Sequence, residues 1–362
     1  MSDDVKLRIV RAPSDPAAYV VGAGRRSAHG GHLHSVRVAE PKGSRSDRAV
    51  EIAQRLTARL ESVVRGKSDQ IRLVVTALAC EGHVLFDDVP GTAKTTLARA
   101  IAGSIEGADF SQIQCRSDLL PMDVTGMPVF NQTTRELDFR PGPIFAHVVL
   151  VDEINRAAPT AQSALFEAMA ERRVTAAGGT RQLPQPFFVL ATENPIEEEG
   201  TFPLPQAQLD RFFLRTTLGY PRPADELQII RDQRRGHPLD SLRPSVTIQE
   251  VGELQRAVAD VHVDPRLLQW IVDLVGATRS LEIVELGPSV RGSLALERAA
   301  RAFALLDGRM HVEPEDIETL FLSVLGHRIV FTTAYLAATR AQSREETLAQ
   351  VRELCLSRVG RS

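Results

Sequence analysis

Cysteine is scarce in this 362-residue chain: Cys80, Cys115 and Cys355 are widely spaced and odd in number. That argues against a disulfide framework, and no spacing among them matches a metal-ligand set. A reducing cytoplasm is the expected compartment. Long apolar runs are missing too. Nothing approaches the ~20 residues that cross a bilayer. The N-terminal MSDDVKLRIVRAPSD lacks the apolar stretch of a signal peptide. Membrane insertion and secretion are therefore not expected. Nor is one sign of charge in excess: 43 Lys/Arg against 46 Asp/Glu leave a net charge of −3, which does not draw polyanions in bulk. No internal repeat is visible.

What remains is an ordinary globular composition, 43% hydrophobic and 25% charged. The length suits two domains and a tail. Residues 1–45 form the expected tail. They hold GAGRRSAHGGHLHS and little periodicity, and residues 1–48 carry nine Lys/Arg against five Asp/Glu. Disorder is the plain reading, and a partner-docking or nucleic-acid arm is the alternative. His29, His32 and His34 lie here, with no native metal site expected of them.

From Ser46, DRAVEIAQRLTARLESVV repeats apolar residues with helical period, and GKSDQIRLVVTALACEG reads as a second helix. HVLFDD is a short buried strand and TTLARAIAGSI a helix. FSQIQC (110–115), HVVLVDE (147–153) and FFVLATEN (187–194) are further strands, with the helix TAQSALFEAMAERRV between the last two. Strands alternating with helices predict a parallel sheet covered on both faces, over 46–221. Beyond Tyr220 the strands fade and helices dominate, so 222–362 is expected to be a helical domain ending in an amphipathic helix. Pro265, Pro288 and Pro314 sit near helix starts.

The chemistry concentrates in DDVPGTAKTT. A P-loop reads G-x-x-x-x-G-K-[ST]. Here Lys94 and Thr95 are in place, but Asp88 replaces the first glycine and Ala93 the second. Strand before and helix after are the required context. The cradle would be Val89, Pro90, Gly91, Thr92, Ala93, Lys94, Thr95 and Thr96, whose N–H groups and helix N-terminus attract phosphate. Lys94 would reach the outer phosphates of ATP and Thr95 would sit on Mg2+. The substitutions are tolerable on two conditions. Ala93 costs little at negative φ and about 1 kcal/mol at positive φ. Asp88 must point away from the phosphates. Alone, the segment is also compatible with an ordinary strand–turn–helix.

Downstream, VVLVDEINRA ends a strand in Asp152–Glu153, 58 residues after Lys94. Asp152 would hold Mg2+ through its water shell, and Glu153 would serve as general base. LATENP ends another strand at Thr192 and Asn194, where a polar side chain holds the attacking water or merely builds a turn before Pro195. Arg211 follows in QLDRFFLR, either as a cation offered to a neighbour's phosphate or as a surface ion pair. Arg291, in GPSVRGSLAL, either closes over the same phosphates or is a helix-surface cation.

Taken together, DVPGTAKTTLARA, SDLLPMDVTG, GPIFAHVVLVDEINRA, LFEAMAERRVT, FFVLATENPIEEEGTFPLPQAQLDRF and GPSVRGSLAL resemble the MoxR family of AAA+ ATPases, over roughly residues 46–340. The resemblance implies a P-loop α/β core followed by a small all-α lid. It implies Walker A roles for Lys94 and Thr95 and Walker B roles for Asp152 and Glu153. Asn194 becomes sensor 1, Arg211 the arginine finger and Arg291 sensor 2. Val290 stands where the family usually has proline, and the N-terminal extension matches nothing typical. A hexamer, a von Willebrand factor A domain partner and remodelling of a client protein are the further implications. Two rivals stand beside this: a nucleotide-gated scaffold with little hydrolysis, and a nucleic-acid regulator using the basic tail. Glu153, Asn194 and Arg211 argue against the first. The second lacks a zinc-finger or helix-turn-helix signature.

Overall fold

The structure, a computed structural model, describes residues 45–89, 91–176, 178–194, 200–234, 236–338 and 342–360. The expected tail with its three histidines lies outside the described residues, apart from Arg45, and so does Pro90.

Helices α1 (Arg45–Val63) and α2 (Ser68–Ala79) come first. α1 buries Ile52, Leu56 and Leu60, one apolar stripe four residues apart. Strand β1 (Val84–Asp87) leads into α3 (Lys94–Ser104), then β2 (Ile105–Glu106), β3 (Phe110–Gln114) and α4 (Pro121–Thr125). A hairpin of β4 (Gly126–Asn131) and β5 (Glu136–Pro141) precedes β6 (Val148–Asp152). A 3-10 turn (Ile154–Arg156), α5 (Pro159–Glu171) and a second hairpin, β7 (Arg173–Ala176) and β8 (Gly179–Gln182), lead to β9 (Phe188–Glu193). Helix α6 (Gln206–Leu209) and β10 (Leu214–Thr216) complete the α/β part.

The C-terminal part comprises α7 (Pro223–Gln233), β11 (Val246–Thr247), α8 (Ile248–Ala257), α9 (Pro265–Arg279), β12 (Val284–Leu286) and α10 (Val290–Leu306). It ends with α11 (Pro314–Leu325), a 3-10 turn (Gly326–Arg328), β13 (Val330–Phe331), α12 (Thr333–Ala338) and α13 (Arg344–Val359). Among the described residues no helix is long and apolar enough to cross a membrane.

The main sheet runs β10-β1-β9-β6-β3 with every pairing parallel. Side chains alternate between its faces. Val84, Phe86, Val148, Leu150, Phe188 and Leu190 enter one core, which continues without a break into the helical domain. Leu85, Val149, Val151, Val189 and Ala191 enter a second core, closed by Ala161, Leu165 and Phe166 of α5. Strands buried on both faces carry apolar residues throughout, which is why they read as continuous runs in the sequence.

Three features differ from the sequence reading. The helix read through Val174 ends at Glu171, where Arg172 takes a left-handed conformation (φ 52°) and starts the β7–β8 hairpin. β-branched Val174 and Thr175 before Gly178–Gly179 carry that hairpin, so turn chemistry outweighs helical period. The β4–β5 hairpin was not foreseen either. It turns where Asn131 Oδ1 accepts the N–H of Thr133 (2.9 Å). It starts at Gly126 (φ 92°), where a Cβ would stand 2.3 Å from the Arg140 carbonyl oxygen. Finally, the helical domain retains short strands. β11 pairs with β2, and β12 with β13, because backbone at element junctions still requires partners.

Candidate functional site

At the carboxyl ends of the sheet Asp87 of β1 lies in register with Glu193 of β9, and Asp152 of β6 in register with Gln114 of β3. Ligands of open parallel sheets bind beyond such ends. Here a cleft of about 680 Å3 lies, running from the α3 N-terminus to a wall that includes Val63, Val64, Ile229 and Pro238. That volume suits a small organic ligand, and the apolar wall suits a base.

The loop after β1 answers both questions the sequence posed. Asp88 is buried, and its Oδ2 accepts the N–H groups of Leu218 (2.8 Å) and Gly219 (3.0 Å). The carboxylate therefore anchors the segment after β10. Ala93 adopts φ 67°, so the strained condition holds, at about 1 kcal/mol relative to glycine. Gly91, at φ 85°, is the other left-handed residue of the loop. The Lys94 ammonium folds onto its own loop, donating to the carbonyls of Val89 (2.6 Å) and Asp88 (3.2 Å). Burial lowers its pKa from the ordinary lysine value, opposed by the charges of Asp88, Asp152 and Glu153. No side chain caps α3, which leaves its first-turn N–H groups for an anion.

The acid pair is held by a residue that the sequence offered, with Asn194, as a holder of the attacking water or a turn former. Thr192, buried at the end of β9, donates its hydroxyl to Asp152 Oδ1 (2.7 Å) and accepts the Glu153 N–H (2.8 Å). Glu153 needs that support, because it too is left-handed (φ 55°, ψ 53°). Its Oε2 accepts from Arg156 (3.3 Å) and Gln114 (3.5 Å). A threonine ending an otherwise apolar strand was the available signal. Beside it, Asp87 pairs with Arg215, and burial raises the Glu193 pKa despite that arginine.

Gly91, Thr92, Ala93, Lys94, Thr95, Thr96, Asp152, Glu153 and Asn194 thus share one cleft. Val89 backs it through its carbonyl. Arg211 and Arg291 are not among its lining residues. Arg211 is exposed and donates to the Phe166 carbonyl (2.6 Å). Arg291, its side chain 72% exposed, approaches Asp210 at 3.9 Å. Arg291 therefore stands beside Asp210, the residue before Arg211, and away from the residues that line the cleft. Among the described lining residues six are acidic and three are Lys or Arg. Of those three, Arg65 contacts Asp232 (3.3 Å) and Lys67 donates to the Tyr220 carbonyl (2.8 Å).

The donor set fits a magnesium nucleotide: an open helix N-terminus and Lys94 for phosphates, Thr95 and Asp152 for the cation. With the Glu153 carboxyl directly after Asp152 at the end of β6, the arrangement suits an ATP-hydrolysing AAA+ enzyme. Comparison with known proteins agrees. Residues 83–214 match the family described as "ATPase family associated with various cellular activities (AAA)", and 276–351 match the AAA lid domain. Chaperone MoxR1 of Mycobacterium tuberculosis is 37% identical over 88% of this chain and 87% of its own. Protein MoxR of Paracoccus denitrificans is 33% identical over 77% and 88%. YeaC of Bacillus subtilis is 49% identical over 75% and 84%. A crystal structure of a candidate ATPase from Cytophaga hutchinsonii superposes with a TM-score of 0.78 at 32% identity, covering 85% of this chain and 95% of that one. The chain belongs to the MoxR family of AAA+ ATPases.

Proposed function

We propose that this ATPase works as a cytoplasmic head-to-tail ring, a hexamer, in which each ATP site is completed by the next copy. Hydrolysis is coupled to remodelling of a client protein together with a von Willebrand factor A domain partner. One observation carries the reading. Neither Arg211 nor Arg291, which approaches the adjoining Asp210 at 3.9 Å, lines a cleft that holds Lys94 among an excess of acids. A heterologous contact that brings one copy's arginines to the next copy's cleft supplies the missing charge, and if the rotation closes it makes a ring. The chaperone name of the mycobacterial relative supports the client role.

In this mechanism the α3 N-terminus and Lys94 bind the phosphates, and Thr95 and Asp152 hold the cation. Mg2+ held there would neutralise charge on the phosphates. Asn194 orients water. Glu153 takes its proton once released from Arg156, and Thr192 keeps both acids aimed at the cleft. Arg211 and Arg291 of the neighbour stabilise charge on the leaving phosphates.

Turnover per subunit should rise with protein concentration as assemblies form, followed by mass determination. In Glu153→Gln it should fall by about 10² to 10⁴ while ATP still binds. Turnover independent of assembly would remove the shared site. ATP binding and assembly without turnover would favour a nucleotide-gated scaffold, the reading suggested by the Arg156 contact on Glu153.

A further inference from the structure

The turn that carries Arg211 is held by the helical domain. Arg328, in the 3-10 turn after α11, has a side chain only 4% exposed. Its Nε donates to Asp210 Oδ1 (2.7 Å). Nη2 donates to the carbonyls of Phe212 (2.7 Å) and Asp210 (3.2 Å). Nη1 donates to the Phe213 carbonyl (3.3 Å) and to that of Val324 in the preceding helix α11. One guanidinium therefore grips residues 210, 212 and 213 on both sides of Arg211, while leaving the Arg211 side chain exposed. Two further bonds reinforce the grip. His327 Nε2 meets the Phe212 carbonyl (3.1 Å), and Gln206 Nε2 donates to the His327 carbonyl (2.9 Å). The other oxygen of Asp210, Oδ2, faces Ser289 (3.5 Å) and Arg291 (3.9 Å) at the start of α10.

We propose that Arg328 is a positioning residue for ATP hydrolysis: through Asp210 and the 210–213 backbone it holds Arg211 and Arg291 as one rigid pair for delivery to the adjacent copy. This rests on the shared-site reading above. A planar fork with five donors suits such a cluster of carbonyls and one carboxylate, and an ammonium does not reproduce it. Displacement of a phosphate-stabilising arginine by about 1 Å can cost about a hundredfold in rate. Fixing the turn from the helical domain also means that any movement of that domain carries the arginine pair with it.

The test separates positioning from mere stability. Arg328→Lys should still bind ATP with wild-type affinity and still assemble, but turn over at least about tenfold more slowly. Its cleft remains intact. Mixing it with Glu153→Gln subunits, which carry an intact arginine face, should restore turnover to about one quarter of wild type, the share of productive interfaces under random mixing. Unchanged turnover in Arg328→Lys overturns the proposal. So does failure of the mixture to recover although the two proteins co-assemble. If Arg328→Lys does not fold, Asp210→Asn decides in its place, with the same slow turnover and the same rescue expected. A parallel mixture of Arg211→Ala with Glu153→Gln serves as the control. Rescue in the control without rescue of the Arg328 variant rejects the positioning role alone, whereas failure of both rejects the shared site.

Discussion

The cleft and the arginine turn are two ends of one chain built on opposite plans. At the cleft the backbone is strained and the side chains are fixed. Ala93 and Glu153 are left-handed, Asp88 is locked onto the segment after β10, and Thr192 bridges the two acids. At the turn the backbone is clamped while Arg211 and Arg291 stay exposed. The difference follows from what each end meets. A cleft that receives a small ligand can be organised in advance by its own chain. A surface that completes another copy's site must keep its charged heads accessible and leave precision to the scaffold beneath them.

The sharpest way to break this comparison is Arg211→Ala. Removal of a phosphate-stabilising arginine should lower turnover by about a thousandfold or more with ATP affinity largely kept. Equal loss of affinity, read by nucleotide titration, would place Arg211 in its own cleft. Thr192→Val preserves shape and deletes the hydroxyl between Asp152 and Glu153. Turnover should fall by about 10- to 100-fold, with weaker Mg2+ binding that saturates only at higher concentration, as for other residues that orient metal ligands. An unchanged Mg2+ titration would show that the acids need no such brace.

Smaller effects report on the scaffold. His83 is buried next to β9, where Nδ1 accepts the Val189 N–H (3.1 Å) and the ring proton on Nε2 donates to the Met169 carbonyl (3.2 Å). Burial pushes its pKa down to about 4. His327 is shifted in the same direction by burial and by Arg328. Below pH ~6.5 the unfolded chain binds protons that the folded chain refuses, so stability should fall as pH drops from there towards 4, with His83 contributing roughly 3 kcal/mol at the lower end. His83→Gln should flatten that part of a denaturation series. Least of all, Ala93→Gly should relieve the left-handed strain. Its gain of about 1 kcal/mol is partly offset by the added freedom of the unfolded chain. Thermal unfolding without nucleotide would detect it as a small upward shift.

The sequence exposed the cleft more readily than the arginine turn, for a physical reason. Buried parallel strands are apolar runs, and their polar last residues, Asp152, Glu153 and Asn194, stand out against them. Lys94 and Thr95 follow β1 at the spacing phosphate binding demands. The conformation of Ala93 and the direction of Asp88 depend on backbone angles and on Leu218 and Gly219, which the loop's own letters do not contain. Both hairpins were hidden because their alternation is short and mixed with exposed apolar residues such as Phe130 and Leu137. Arg328 looks like any cation after a helix. Its role appears only when Asp210, 118 residues away, closes on it.

The most direct measurement is ATP turnover of an equimolar mixture of Arg211→Ala and Glu153→Gln subunits, each inactive alone. A shared site predicts recovery to about one quarter of the wild-type rate, since one subunit offers an intact cleft and the other an intact arginine face. A mixture that stays inactive, with co-assembly verified by mass, would contradict the account.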